Sequence, residues 1–113
     1  MTDVVVVVDH SNGPLTKMGS EILTIAARLG SVVGVAFGGN DQTAREGGDY
    51  GATVMILADT SPAGPADAST RARALANIVE QYRPRIVLLP ADGSGTEVGA
   101  RLAALCEMGI ITD

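Results

Sequence analysis

The 113-residue sequence contains few of the residue types on which several kinds of binding site depend. Tryptophan is absent, and the aromatic residues are Phe37, Tyr50 and Tyr82. So few aromatics argue against a site that stacks nucleobases or a flavin ring on aromatic side chains. Eight lysines and arginines stand against thirteen aspartates and glutamates, for a net charge of -5. Because this charge repels a phosphate backbone, we expect no nucleic-acid partner.

Cysteine and long apolar runs are also scarce. Cys106 is the single cysteine, so an intrachain disulfide is impossible, and the chain opens without a secretory signal pattern. No apolar run is longer than the five valines at residues 4–8, whereas a spanning helix needs about 20 residues. We expect a cytoplasmic protein without a membrane segment. The length predicts one domain over residues 1–113.

Short apolar runs alternate with amphipathic segments along the chain. Residues 4–8, 32–37, 54–58 and 86–89 are typical of strands buried on both faces. Helical spacing predicts helices over residues 15–29, 66–82 and from residue 97 onward, whereas residues 41–51 contain too many glycines for more than one or two turns. This alternation predicts a doubly wound α/β fold, in which a parallel sheet is covered on both faces.

A fifth apolar run begins at Ile110 and Ile111, just before the chain ends. We therefore expect the chain to be a truncated piece of a longer protein.

Ligands of such sheets bind outside the carboxyl ends of the strands. After the fourth strand, the run Gly93, Ser94, Gly95 and Thr96 leads into a helix whose free N–H groups could hold a phosphate. No lysine follows, so this is not a Walker-type loop. The plainer interpretation is a helix cap, because Glu97 follows Ser94 at the spacing of a capping box.

Asp9 and His10 follow the first strand, and a histidine beside a carboxylate can act as a general base. No nucleophile elbow accompanies them, and polar residues at a strand end more often cap a turn or line an interface. For these reasons we expect no catalytic site. Asp59 and Asp92 could bind a hard cation together with Asp9, but isolated carboxylates in different loops are the ordinary way to end a buried strand, so we expect no metal site. Four arginines around the third helix form either a solvated face or a docking patch for an acidic partner: Arg71, Arg73, Arg83 and Arg85.

Several local strings resemble the electron transfer flavoprotein alpha subunit, and the resemblance covers the whole chain. The more specific ones are the first strand with its Asp-His-Ser-Asn-Gly continuation at residues 9–13, and the stretch from Ala100-Arg101-Leu102-Ala103 to Ile111-Thr112-Asp113. Residues 21–30, 50–52 and 90–97 add to it. Asp9 departs from the family, which usually has Glu there, as do Pro14 and the short, polar segment 41–48.

The resemblance implies a heterodimer of alpha and beta subunits that carries electrons from flavin-dependent dehydrogenases to an acceptor. It implies a Rossmann-like, adenine-nucleotide alpha-hydrolase-like domain with strand order 3-2-1-4, extended by strand 5. In this resemblance residues 1–113 are the amino-terminal domain of a longer subunit, and this domain packs against the beta subunit. FAD is held by a second domain, so we expect no cofactor in residues 1–113. Asp9, His10 and residues 93–96 then resemble the remnant of a nucleotide pocket.

Two other functions remain open at this stage. One is a free-standing nucleotide-binding module of the universal-stress or ATP-pyrophosphatase type, with phosphates at Gly93 to Thr96, although the glycine and serine spacings typical of those proteins are missing. The other is a small enzyme that uses Asp9 and His10.

Overall fold

The computed structural model describes residues 2–58, 68–90 and 111–112, with no account of the side chains of residues 68, 69, 111 and 112. The described elements run β1 (Val4–Val7), α1 (Lys17–Leu29), β2 (Val32–Phe37), α2 (Asp41–Asp49), β3 (Val54–Ala58), α3 (Ala68–Tyr82), β4 (Ile86–Leu89) and β5 (Ile111–Thr112). The fourth predicted helix lies outside the described residues.

The five strands form one parallel sheet in the order β3-β2-β1-β4-β5. Val4 pairs with Val32 of β2 on one side and with Ile86 of β4 on the other. The strand order reverses between β1 and β4, which is the position where ligands bind in folds of this kind. The predicted fold class and strand order are confirmed.

The valines of β1 supply side chains to both faces of the sheet. Val4, Val6 and Val8 pack under α1, whereas Val5 and Val7 pack under α3. All five are at most 9% exposed. A strand covered on both sides needs apolar residues at every position, and this is why β1 reads as an unbroken valine run.

The buried face of α1 agrees only in part with the predicted one. The apolar residues at helical spacing are Leu15, Met18, Ile22, Ile25, Ala26 and Leu29. Of these, Ile22 and Ala26 are buried, together with Gly19 and Leu23. The side chains of Met18, Ile25 and Leu29 are instead 38%, 44% and 49% exposed. A Cβ atom at position 19 would overlap the carbonyl oxygen of Asp9, so Gly19 lets the helix approach β1 with this face inward.

Helix α2 is longer than the predicted one or two turns, because its nine residues make about two and a half turns. Its amino end is held by a capping box: Asn40 Oδ1 accepts from the amides of Gln42 and Thr43, and Thr43 Oγ1 accepts from the Asn40 amide at 3.1 Å. These bonds satisfy helix-end donors and offset the low helix propensity of Gly47 and Gly48.

Candidate functional site

The candidate site lies at the carboxyl ends of β1 and β2, where two loops and the start of α2 meet. After β1, the chain turns through residues 8–16, with Asn12 at φ 54° and Gly13 at φ 127°. An isolated antiparallel bridge between His10 and Leu15 closes this turn, and the Ser11 amide donates to the Pro14 carbonyl at 2.9 Å. The loop is therefore folded on itself before it enters α1.

His10 connects the loop to the end of β2. Its Nε2 lies 2.8 Å from the Phe37 carbonyl oxygen, and its Nδ1 lies 3.4 Å from the Gly13 amide nitrogen. A carbonyl can only accept and a backbone amide can only donate, so the proton of the neutral ring belongs on Nε2. Both ring nitrogens have protein partners, and neither is left for a bound substrate.

Asp9 is committed to the helix that follows it. Its Oδ2 accepts from the Thr16 hydroxyl at 2.7 Å, and Thr16 Oγ1 accepts in turn from the Gly19 amide at 3.1 Å. Thr16 is the N-cap of α1. This chain of bonds satisfies one of the donors that every helix leaves unpaired at its amino end.

Thr43 ties the same loop to α2 and is fully buried. Its hydroxyl donates to the Gly13 carbonyl at 2.6 Å. Glu46, one turn further along α2, accepts from the Leu15 amide at 3.1 Å and from the Gln42 side chain at 2.8 Å. The β1 loop is thus held from three sides: by β2, by α1 and by α2.

Sequence reasoning identified Asp9 and His10, and the structure places both at this site. It missed Thr16, Thr43 and Glu46. Thr16 had a readable signal, since a threonine directly before an amphipathic helix is a common N-cap. Thr43 and Glu46 had none, because the backbone groups they hold are about thirty positions away in sequence.

The remaining predicted positions are distributed as follows. Gly93, Ser94, Gly95, Thr96, Asp59 and Asp92 lie outside the described residues. Within residues 2–58, 68–90 and 111–112, no three histidine, cysteine or acidic side chains come together as metal ligands do. No helix in that part of the chain is long and apolar enough to cross a membrane.

The arginines do not form one free basic patch. Arg71 is half-buried, and its guanidinium lies 5.1 Å from the centre of the Phe37 ring, an arrangement typical of a cation–π contact. Arg73, Arg83 and Arg85 are exposed. Arg71 therefore packs on Phe37, and the two predicted roles of the group, a solvated face or a docking patch, apply to the three exposed arginines.

Comparison with known proteins agrees with this architecture. Residues 4–113 match the family described as "Electron transfer flavoprotein domain". The whole chain aligns with the electron transfer flavoprotein subunit alpha of Mycobacterium leprae at 32% identity, and with that of Mycobacterium tuberculosis at 30% identity. Each alignment covers 36% of the length of the relative.

A more distant relative is the acryloyl-CoA reductase electron transfer subunit beta of Anaerotignum propionicum. It is 26% identical in an alignment that covers 98% of this chain and 32% of the length of the relative. The chain thus spans about a third of the length of these relatives. The family match covers nearly every residue, and the chain belongs to the electron transfer flavoprotein family, where it resembles an amino-terminal domain of an alpha subunit.

Proposed function

We propose that this chain is the amino-terminal domain of an electron transfer flavoprotein alpha subunit, which carries electrons from flavin-dependent dehydrogenases to a downstream acceptor. In this proposal residues 1–113 form one domain without catalytic activity. Its task is association with the beta subunit, and FAD is held by another part of the subunit. The family match over residues 4–113 is the observation that carries the proposal.

The geometry of the strand ends supports a domain without a cofactor of its own. His10 uses both ring nitrogens within the protein, Asp9 is bonded to Thr16, and the Gly13 carbonyl is bonded to Thr43. These groups of Asp9, His10 and Gly13 are already bonded within the protein, and they do not offer a flavin the polar partners it needs. We interpret Asp9 and His10, together with Gly93, Ser94, Gly95 and Thr96, as the remnant of a nucleotide pocket.

The surface of α1 supports an association role. Met18, Ile25 and Leu29 are exposed on one side of the helix, and we call these three residues the α1 stripe. Tyr50, 45% exposed, lines a groove beside it together with Ile25 and Arg28. Large apolar side chains gathered on one surface are typical of protein interfaces. The single cysteine suits a reducing compartment, and we place the complex in the cytoplasm.

Purification and calorimetry test the cofactor part of the proposal. We expect the purified 113-residue chain to be colourless, and titrations with FAD, AMP and ATP to show no heat of binding at micromolar concentrations. Flavin absorbance that copurifies with the chain would contradict the proposal. Micromolar binding of AMP or ATP that is abolished by Gly95→Val would favour the free-standing nucleotide-binding module instead.

A further inference from the structure

Asn12 and Gly13 form the most chemically labile type of asparagine bond. An asparagine side chain is attacked by the backbone nitrogen of the next residue, and attack is fastest when that residue is glycine, because no Cβ shields the nitrogen. Asn12 is exposed and adopts a left-handed conformation at φ 54°, a region that asparagine tolerates better than most residues. Water therefore has access to its side chain.

The attacking nitrogen has a base beside it. The Gly13 N–H points to Nδ1 of His10 at 3.4 Å. The bond from Nε2 to the Phe37 carbonyl fixes the tautomer in which the proton is on Nε2, so Nδ1 carries the lone pair that accepts from the Gly13 amide. General-base assistance requires an imidazole nitrogen that carries a lone pair within hydrogen-bond reach of the proton to be removed. His10 Nδ1 is in this position relative to the Gly13 amide.

We propose that Asn12 is a self-modification site, at which His10 promotes deamidation of the Asn12–Gly13 bond. His10 Nδ1 takes the Gly13 amide proton while the Gly13 nitrogen forms a bond to the Asn12 side-chain carbonyl carbon. The bond from that carbon to Nδ2 breaks, and the proton passes to the leaving group, which departs as ammonia. Water then opens the resulting succinimide at either carbonyl and gives aspartate or isoaspartate, with no oxidation or reduction.

The modification changes the site described above. It adds a negative charge three residues from Asp9, and the isoaspartate product adds one methylene group to the backbone. Gly13 is buried, and its carbonyl accepts the Thr43 hydroxyl at 2.6 Å, so a longer backbone displaces that carbonyl. The link between the β1 loop and α2 is therefore the contact that modification weakens.

The other two asparagines are internal controls. Asn40 holds two amides of α2 with its side-chain oxygen and is followed by Asp41. Asn77 lies inside α3 and is followed by the β-branched Ile78. Neither asparagine is followed by a glycine. Trypsin places the three asparagines on separate peptides, covering residues 1–17, 29–45 and 74–85.

The test is incubation of the 113-residue chain at neutral pH, followed by peptide mapping by mass spectrometry. Deamidation replaces the side-chain NH2 group by OH, and the change in peptide mass measures it. Chromatography separates the aspartate peptide from the isoaspartate peptide. A synthetic peptide of residues 8–17 in the same buffer gives the rate of the same bond without the fold. His10→Gln keeps an amide donor for the Phe37 carbonyl but has no basic nitrogen, and circular dichroism checks that it is folded.

We expect Asn12 to react faster in the folded chain than in the peptide, while Asn40 and Asn77 remain intact. In His10→Gln the rate at Asn12 should fall by about tenfold. This is less than the roughly hundredfold rate enhancement that a well-positioned general base gives at the least. A folded chain that reacts more slowly than the peptide would overturn the proposal, whatever the variant does. An unchanged rate in folded His10→Gln would also overturn it.

Discussion

Asp3 joins the amino ends of three strands. Its Oδ2 accepts from the Ser31 amide at 2.9 Å and from the Ser31 hydroxyl at 3.2 Å, at the start of β2. Its own carbonyl accepts from the amides of Arg85 and Ile86, at the start of β4. The hydrogen bonds from Ser31, with a smaller contribution from the charge of Arg85, hold the pKa of the Asp3 carboxyl below its usual value.

A lowered pKa in the folded state makes this contact dependent on pH. The stabilisation is present in full above the unfolded pKa, about 3.9 for aspartate, and is lost as the pH falls through the lower folded pKa. We therefore expect Asp3→Asn to be less stable than the wild type at neutral pH, with the difference closing in acid. The measurement is the free energy of unfolding by urea at a series of pH values.

Ser31→Ala is the matched control for Asp3→Asn. It removes the hydroxyl donor but keeps the carboxylate and the backbone bond, which is the larger cause of the lowered pKa. Its pH dependence should lie between those of the wild type and Asp3→Asn. If the free energies of unfolding of Asp3→Asn and the wild type fall in parallel with pH, the ionised Asp3 carboxylate does not contribute to stability.

At the residue scale the sequence was informative about position and much less about partners. Asp9 and His10 were singled out because polar residues that follow a buried strand gather at one edge of a parallel sheet. That His10 bonds to the Phe37 carbonyl depends on how β2 lies beside β1, 27 positions away. Side-chain periodicity carries no information about such contacts.

At the scale of elements, the packing of α2 on β3 depends on glycine. A Cβ atom on Gly47 would overlap the sulfur of Met55, and so would one on Gly34 of β2. Gly48, the next residue of α2, has no neighbouring atom within 4 Å of such a Cβ. Two adjacent glycines in one helix therefore have different roles, since only the first gives space to a core side chain.

This difference predicts opposite effects of the same substitution. Gly48→Ala should stabilise the protein by about 0.5–1 kcal/mol, because alanine has the higher helix propensity and no contact is disturbed. Gly47→Ala gains the same propensity but overpacks against Met55, which typically costs about 1–3 kcal/mol. Urea unfolding of the two variants measures both values, and each serves as the control for the other.

A double-mutant cycle attributes the cost at Gly47 to Met55. In a Met55→Ala background the space is open, so Gly47→Ala should become neutral or stabilising, with a coupling free energy of about 1 kcal/mol or more. Absence of coupling would mean that the cost arises in the backbone of α2 and not in its packing.

The elements also differ in how well they could be predicted. The bounds of β2, β3 and β4 follow from apolar runs that end at polar residues, glycine or proline, and the structure confirms them. The buried face of α1 was predicted only in part, because the exposed Met18, Ile25 and Leu29 satisfy helical periodicity as well as the buried Ile22 and Ala26 do. Periodicity identifies an apolar stripe, but the close approach at Gly19 decides which part of it meets the sheet.

At the scale of the whole molecule, helices α1 and α3 cover opposite faces of the sheet and differ in what they expose. Helix α3 buries Ala72, Leu75, Ile78 and Val79 against one face of the sheet. On the other face, α1 buries one side and leaves the α1 stripe exposed. Among the residues that the structure describes, the α1 stripe is thus an apolar surface suited to a partner, which agrees with the proposed association.

A charge placed in the α1 stripe tests this surface directly. Ile25→Lys puts a lysine four residues after Glu21, an arrangement that supports a helix, so folding should be retained. Binding to a beta-type subunit encoded in the same genome, measured by titration calorimetry, should weaken by at least about tenfold, or about 1.4 kcal/mol.

Asn77→Lys adds the same charge to an exposed position of α3, on the opposite layer of the fold. If the α1 stripe meets the partner, this control leaves the affinity unchanged, because a general effect of one added positive charge would appear in both variants. Equal weakening by the two substitutions would point to long-range electrostatics. Loss of binding in Asn77→Lys alone would move the interface to α3, where Arg73 is also exposed.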